Sequence, residues 1–456
     1  MARPEKPKEI VRDLLDTAAQ AGAETAAPGT ATPSRASSAW RALSRHRRIG
    51  AWAILASLGP GLIAANAGND AGGILTYAST GARYGYALLW VLPLMTISLA
   101  VVQEMAARMG AATGKGLTDL IRENFSIQVA ALIMLALLIS NGATVISEFV
   151  GIDASVILLK PGLQYLAVPL IALAIWLLVT KGSYRGVERV FLLMTIAFFA
   201  YPVAAVLAHP NWGHVFHQTF RISITGGSEY LLILVALIGT TITPYQQVFV
   251  QSSVVEKGVT SRDYKPERIG VYGGSIFAVL TAGFIMVATA ATLFPRHQLV
   301  NTVQDAADAL RPLGTHPELI FATGLFGASI LAAAVLPLAT AYSVSEALGV
   351  ETGVSKGFNE APVFMGLFTG LMIVGVLVAL IPGLPVVQLL IVTQVINGLL
   401  MPVVLFTILK LVNDRRLMAG MANGPIYNVI AWITAIVVSL LSLTLLALTV
   451  AGWFGL

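Results

Sequence analysis

Asn66, Asn69 and Asp70 sit together in "NAGNDAGGILTY", residues 66–77, inside an apolar run that begins near Ala51. A carboxylate at bilayer depth is costly and marks a functional position by default. Gly68, Gly72 and Gly73 loosen a helix there, where no water can take over its backbone hydrogen bonds. A second such place is "GTTITPYQQ", residues 239–247, where Pro244 removes a backbone donor and Gly239 with three threonines softens the helix. The two stretches offer carboxylate, amide, hydroxyl and freed carbonyl oxygens. All six histidines (His46, His209, His214, His217, His297, His316) and every methionine lie outside them, and the chain has no cysteine. Oxygen ligands suit hard cations such as Mg²⁺, Ca²⁺ and Mn²⁺. One carboxylate among neutral oxygens also suits an ion that keeps part of its water shell, as Mg²⁺ does. Sodium or an organic substrate would tolerate the same surroundings. The chemistry expected from the residues alone is therefore that of a carrier of, or one coupled to, a hard cation.

The elements that must position these groups are membrane helices. The chain has 456 residues, 56% hydrophobic and 11% charged, with a mean hydropathy of +0.80; a soluble protein would carry roughly a quarter charged residues. Eleven apolar stretches are long enough to cross a bilayer: 51–80, 85–108, 127–157, 164–181, 187–207, 229–256, 270–293, 318–345, 361–382, 385–411 and 427–451. Residues 1–48 are rich in Ala, Pro, Ser, Thr and charge and end in "SRHRR", which predicts a disordered cytoplasmic tail ahead of a transporter domain over 49–456. With the N-terminus inside, 23 of the 28 Lys and Arg fall on the cytoplasmic side, as the positive-inside rule requires. The C-terminus is then outside. The net charge of +5 is accounted for by this topology, so no nucleic-acid partner is expected. Absence of cysteine excludes disulfides and thiolate metal sites.

The breaks fall in the first helix of each of two five-span blocks, 51–207 and 229–411, with 427–451 as an additional helix. Five is odd, so the blocks run in opposite senses across the membrane. Paired interruptions in inverted repeats point to a transport site at the midplane.

The residues at these breaks resemble the NRAMP family of divalent-metal transporters. "GPGLIAANAGNDAGGI" followed by "YGYALLW" is similar to the family's first helix, where GPG precedes a DPGN motif and YGY follows. "RMGAATGKGLTDL" resembles the stretch after helix 2, "SEFVG" the third helix, and "TTITPYQQVFVQSS" stands where the family has its MPH motif. The resemblance implies an all-α polytopic protein of eleven transmembrane helices, with a LeuT-like 5+5 inverted repeat and broken helices 1 and 6. It places Asp70 on the family's metal-binding Asp. Its Pro becomes Ala71 and its coordinating Asn becomes Gly73. The metal-binding Met of helix 6 becomes Thr243, and the His after the Pro becomes Tyr245. The Ala67 and Thr240 carbonyls match carbonyl ligands, and Gln394 in span 10 matches a polar residue that closes over the ion. Asn66, Asn69, Gln246 and Gln247 add polar groups for the ion's waters. Loss of the thioether is similar to the NRAMP-related magnesium transporters, which implies Mg²⁺ as cargo with Mn²⁺ secondary and no resident cofactor.

The same register puts Val145 where ordinary members have an Asp in helix 3, while Glu148 remains. Tyr245, a phenol with a reference pKa near 10, does not carry protons at physiological pH as a histidine does. Uncoupled import by a single chain in the cell membrane is expected. The alternatives are a proton-coupled Mn²⁺/Fe²⁺ importer and a cation-coupled amino-acid symporter. No nucleophile–base pair, nucleotide loop or zinc cluster suggests an enzyme.

Overall fold

A computed structural model of the chain describes residues 68–181, 200–224, 226–311, 317–353 and 357–453. The expected tail, Asn66, Ala67 and residues 187–199 of the expected fifth span lie outside these.

Every regular element among the described residues is a helix. In chain order the principal ones are α1 (Ala71–Tyr84), α2 (Val91–Thr113), α3 (Leu117–Asn124), α4 (Ile127–Leu159), α5 (Gln164–Lys181), α6 (Ala200–Leu207), α7 (Trp212–Thr219), α8 (Ser228–Thr241) and α9 (Pro244–Glu256). There follow α10 (Tyr264–Thr292), α11 (Val303–Asp308), α12 (Pro317–Leu348), α13 (Pro362–Ala379), α14 (Val386–Val412), α15 (Arg415–Met418) and α16 (Pro425–Trp453). Among the described residues nine segments are long and apolar enough to cross a membrane, with α8 and α9 together forming one of them. The predicted span 164–181 coincides with α5, and 127–157 is α4 to within two residues.

Helix α2 starts at Val91 rather than at 85. The cause is local: Gly85 ends α1 at φ 57°, its N–H bonded to Gly81 O at 3.0 Å, a conformation glycine adopts without a Cβ penalty. Residues 86–90 then run through turns.

Burial is distributed as lipid demands. Leu132, Leu135, Leu138 and Ile139 on α4, and Leu166, Leu170, Leu173 and Leu177 on α5, are exposed. Asp70, Glu148, Gln246, Gln394 and Asn397 are completely buried. A water-soluble fold would place these groups the other way round. Helix α1 lies at the centre, packed against α4, α8, α10 and α14. At one end of the bundle Glu346, near the end of α12, accepts hydrogen bonds from Thr118 Oγ1 on α3 at 2.5 Å and Ser252 Oγ on α9 at 2.8 Å. One carboxylate thus ties three elements together.

Candidate functional site at the two helix breaks

Gly68–Asp70 are non-helical and lead into α1. Asp70 is the N-cap, with φ −68° and ψ −178°, and its Oδ1 accepts from Gly73 N at 2.6 Å. An Asp here satisfies a first-turn amide and meets the positive end of the helix dipole. Capping alone does not account for its setting. Gln394 Nε2, from α14, lies 3.2 Å from Oδ1 and 3.3 Å from Oδ2. No Lys, Arg or His among the described residues forms an ion pair with the carboxylate. A buried carboxylate held only by neutral donors has unmet demand for positive charge.

The second break lies beside the first. Helix α8 ends at Thr241, Ile242 leaves helical geometry at φ −120° and ψ 84°, and Pro244 opens α9, a position where its missing N–H costs nothing. Thr240 Oγ1 donates to Gly68 O at 3.2 Å, which joins the two breaks. Gln246 Oε1 accepts from Thr243 N at 3.3 Å, while Gln246 Nε2 and Gln247 Oε1 are buried without a hydrogen-bond partner among the described residues. Such orphaned amide atoms are costly in a dry interior, so they fit a site that takes up water or a hydrated ligand. Tyr245 is fully buried in the first turn of α9.

Three oxygens close in on Gly73. A Cβ added there would lie 2.6 Å from Thr240 Oγ1, 2.8 Å from Gly68 O and 3.2 Å from Asp70 Oδ1. No Cβ fits there without a shift, so it is the glycine that allows a hydroxyl, a carbonyl and a carboxylate oxygen to converge.

The structure brings Asp70, Gly73, Thr240, Gln246 and Gln394 together, with Thr243 and Tyr245 in the adjoining break. Asn69 is engaged elsewhere: its Nδ2 donates to Ala278 O in α10 at 3.0 Å, so its amide holds α1 to its neighbour. Asn66 and Ala67 lie outside the described residues. No group of three or more His, Cys, Asp or Glu suited to a metal occurs among the described residues. Any ion here would be held by one carboxylate and neutral oxygens.

Glu148 lies one step away. Its Oε2 accepts from Ala71 N at 3.1 Å and its Oε1 from Ser147 Oγ at 3.1 Å. It completes the capping of α1 from α4. Glutamine keeps an acceptor in that place, so Glu148→Gln is expected to retain uptake within about twofold of the parent, measured as initial flux into proteoliposomes.

Sequence reasoning passed over Asn397, Ser140 and Thr144. Asn397 Nδ2 donates to Gln394 Oε1 at 3.1 Å, and its Oδ1 accepts from Ser140 Oγ at 2.5 Å. The signal was present: Asn397 follows Gln394 by three residues on one helix face, and Ser140, Thr144 and Glu148 recur at intervals of four along an apolar span.

A buried bundle of membrane-length helices, whose two interrupted helices meet at the Asp70 carboxylate with Glu148 one step away, has the LeuT-like architecture. A family profile, natural resistance-associated macrophage protein-like, matches residues 61–448, and the chain belongs to this Nramp family. It is a multi-pass membrane transporter of a divalent-metal family and not an enzyme. Among its relatives, the divalent metal cation transporter MntH of Ralstonia nicotianae is 29% identical, covering 88% of this chain and 92% of that one. MntH of Bacillus subtilis is 26% identical over 86% and 92%. The fold is similar to that of the Eremococcus coleocola manganese transporter, with TM-score 0.69 and 19% identity over 88% of each chain. MhsT, solved with L-phenylalanine, aligns at TM-score 0.56 with 13% identity over 85% and 97%.

Proposed function

We propose that the protein imports Mg²⁺, with Mn²⁺ as a secondary substrate, by alternating access and without proton coupling. A partly hydrated ion is held between the start of α1 and the break between α8 and α9. The two halves, 51–207 and 229–411, move against each other as inverted repeats, with the N-terminus cytoplasmic and the C-terminus outside. A negative-inside potential draws the ion inward with about 2.3 kcal/mol per charge per 100 mV.

The observation that carries this reading is the convergence of three oxygens, Thr240 Oγ1, Gly68 O and Asp70 Oδ1, on the bare backbone of Gly73. The convergence offers oxygens only, and the absence of a Cβ lets them approach one another. The orphaned Gln246 and Gln247 amide atoms supply partners for the ion's water. Thr243 in place of a thioether removes the soft ligand that would favour Mn²⁺ or Fe²⁺. Glu148, engaged with Ala71 N and Ser147, supports transport without a proton. A competing reading, proton-coupled Mn²⁺ transport, draws on the relatives: curated ones are named divalent metal cation transporters and a solved one is a manganese transporter.

Proteoliposome uptake separates the two. Mg²⁺ and Mn²⁺ entry are measured together with luminal pH under an imposed negative potential. Mg²⁺ entry at constant luminal pH is expected; acidification accompanying Mn²⁺, with no Mg²⁺ entry, would favour the competitor. Thr243→Met is expected to raise the Mn²⁺/Mg²⁺ flux ratio by about tenfold, the effect of one 1.4 kcal/mol ligand preference. An unchanged ratio would remove Thr243 from the site.

A further inference from the structure

We propose that Asn397 is a positioning residue that decides which end of the Gln394 amide faces the ion; this rests on the reading of Asp70 as the ion's carboxylate. The basis is a directed chain of hydrogen bonds joining α1, α14 and α4. Gln394 Nε2 donates to both Asp70 oxygens. Asn397 Nδ2 donates to Gln394 Oε1 and to Thr144 Oγ1, each at 3.1 Å. Ser140 Oγ donates to Asn397 Oδ1 at 2.5 Å. Thr144 Oγ1 gives its own proton to Ser140 O at 2.9 Å, with Asn397 Oδ1 as a longer alternative at 3.2 Å. All five side chains are buried.

The direction of this chain follows from its end. An ionised carboxylate only accepts hydrogen bonds, so Gln394 must present its NH₂ group to Asp70. Its Oε1, the atom able to bind a cation, then points away and must find a donor, which Asn397 provides. The resting chain therefore offers the ion an amide NH₂ that repels it. A cation at Asp70 reverses the demand, because it favours Oε1 on its own side. Turning Gln394 over brings Nε2 to Asn397, which must turn as well and present Oδ1. Its Nδ2 then meets Ser140 and Thr144, whose hydroxyls accept as readily as they donate. The resting polarity is the better paired of the two, because the turn takes from Ser140 Oγ the acceptor it has in Asn397 Oδ1. Asn397 thereby makes binding reversible: it restores the repelling orientation whenever the carboxylate stands alone.

The experiment measures Mg²⁺ affinity by calorimetry on the purified full-length protein, and Mg²⁺ flux in proteoliposomes. The variants are Asn397→Leu, Asn397→Asp, Gln394→Leu, the two double variants, and Asp70→Ala. Leu cannot donate to Gln394 Oε1. Asp has the shape of Asn and only accepts, so it keeps the packing should the Leu variant fail to fold. Both changes at 397 free Oε1 for the ion and are expected to lower Kd by about threefold to tenfold while slowing maximal flux. In the Gln394→Leu background the Leu change should leave Kd unaltered and the Asp change should lose the same factor, a coupling of the size that contacting residues show. Equal effects at 397 with and without Gln394, in both cycles, overturn the proposal. If Asp70→Ala abolishes binding while the cycles are additive, the site stands and the positioning role falls. If Asp70→Ala binds Mg²⁺ like the parent, both fall.

Discussion

Mg²⁺ uptake by Asp70→Ala is expected to fall about 100-fold or more, equivalent to the loss of about 2.7 kcal/mol or more of ion binding. The oxygens around Gly73 that remain are a hydroxyl and a backbone carbonyl. Neither carries the charge that offsets removal of a divalent ion from water. The alanine also deletes the cap of α1, which costs about 1 kcal/mol of stability. Asp70→Asn separates the two effects. Asparagine caps helices as well as aspartate does but is neutral, so this variant should melt like the parent and still fail to take up Mg²⁺. Uptake and thermal midpoint, measured on both variants, check the prediction. A transport-competent Asp70→Asn would mean that the ion does not need this charge.

Gly239→Ala should give the largest loss of stability from a single methyl group. Helices α8 and α14 meet where a Cβ at Gly239 would overlap Gln394 O and Gly398 N, both backbone atoms. On the facing side a Cβ at Gly398 would lie 2.5 Å from Val235 O. Small residues let membrane helices approach this closely, and backbone cannot rotate out of the way as a side chain can. Overpacking of this kind costs about 1–3 kcal/mol. Because the displaced backbone carries Gln394, transport should fail together with the melting temperature in detergent. Gly366→Ala is the control: it lies on the exposed side of α13, and an added Cβ there meets nothing within 4 Å. That variant should melt at or slightly above the parent value, since alanine is the better helix former.

Much of the fold was legible because the bilayer imposes a simple rule on composition. Spans such as 164–181 could be placed from hydropathy, and the helix-6 break from Pro244 with its threonines. The Asp70 break was legible from a carboxylate among glycines. Tertiary direction was not. Gln394 reaches Asp70 across 324 residues of chain, and only the family resemblance placed it near the ion. Asn69 looks like a partner for its neighbour Asp70, yet its amide is bonded to α10, because adjacent residues at a helix entrance point in different directions. Asn397 escaped attention although it shares a helix face with Gln394, because its spacing does not tell which neighbouring helix that face meets. The delayed start of α2 depended on one backbone angle at Gly85, which composition does not report.

The clamp at Glu346 has a mechanical consequence. Helix α9 has 13 residues, a rod of about 20 Å at 1.5 Å per residue. Its near end opens at the break beside Gly68 and Asp70, and its far part is fastened through Ser252 to Glu346. A rod pinned in this way cannot swing at one tip without loading the other. Any tilt of α9 must either part the serine from the glutamate or haul α12 along with it.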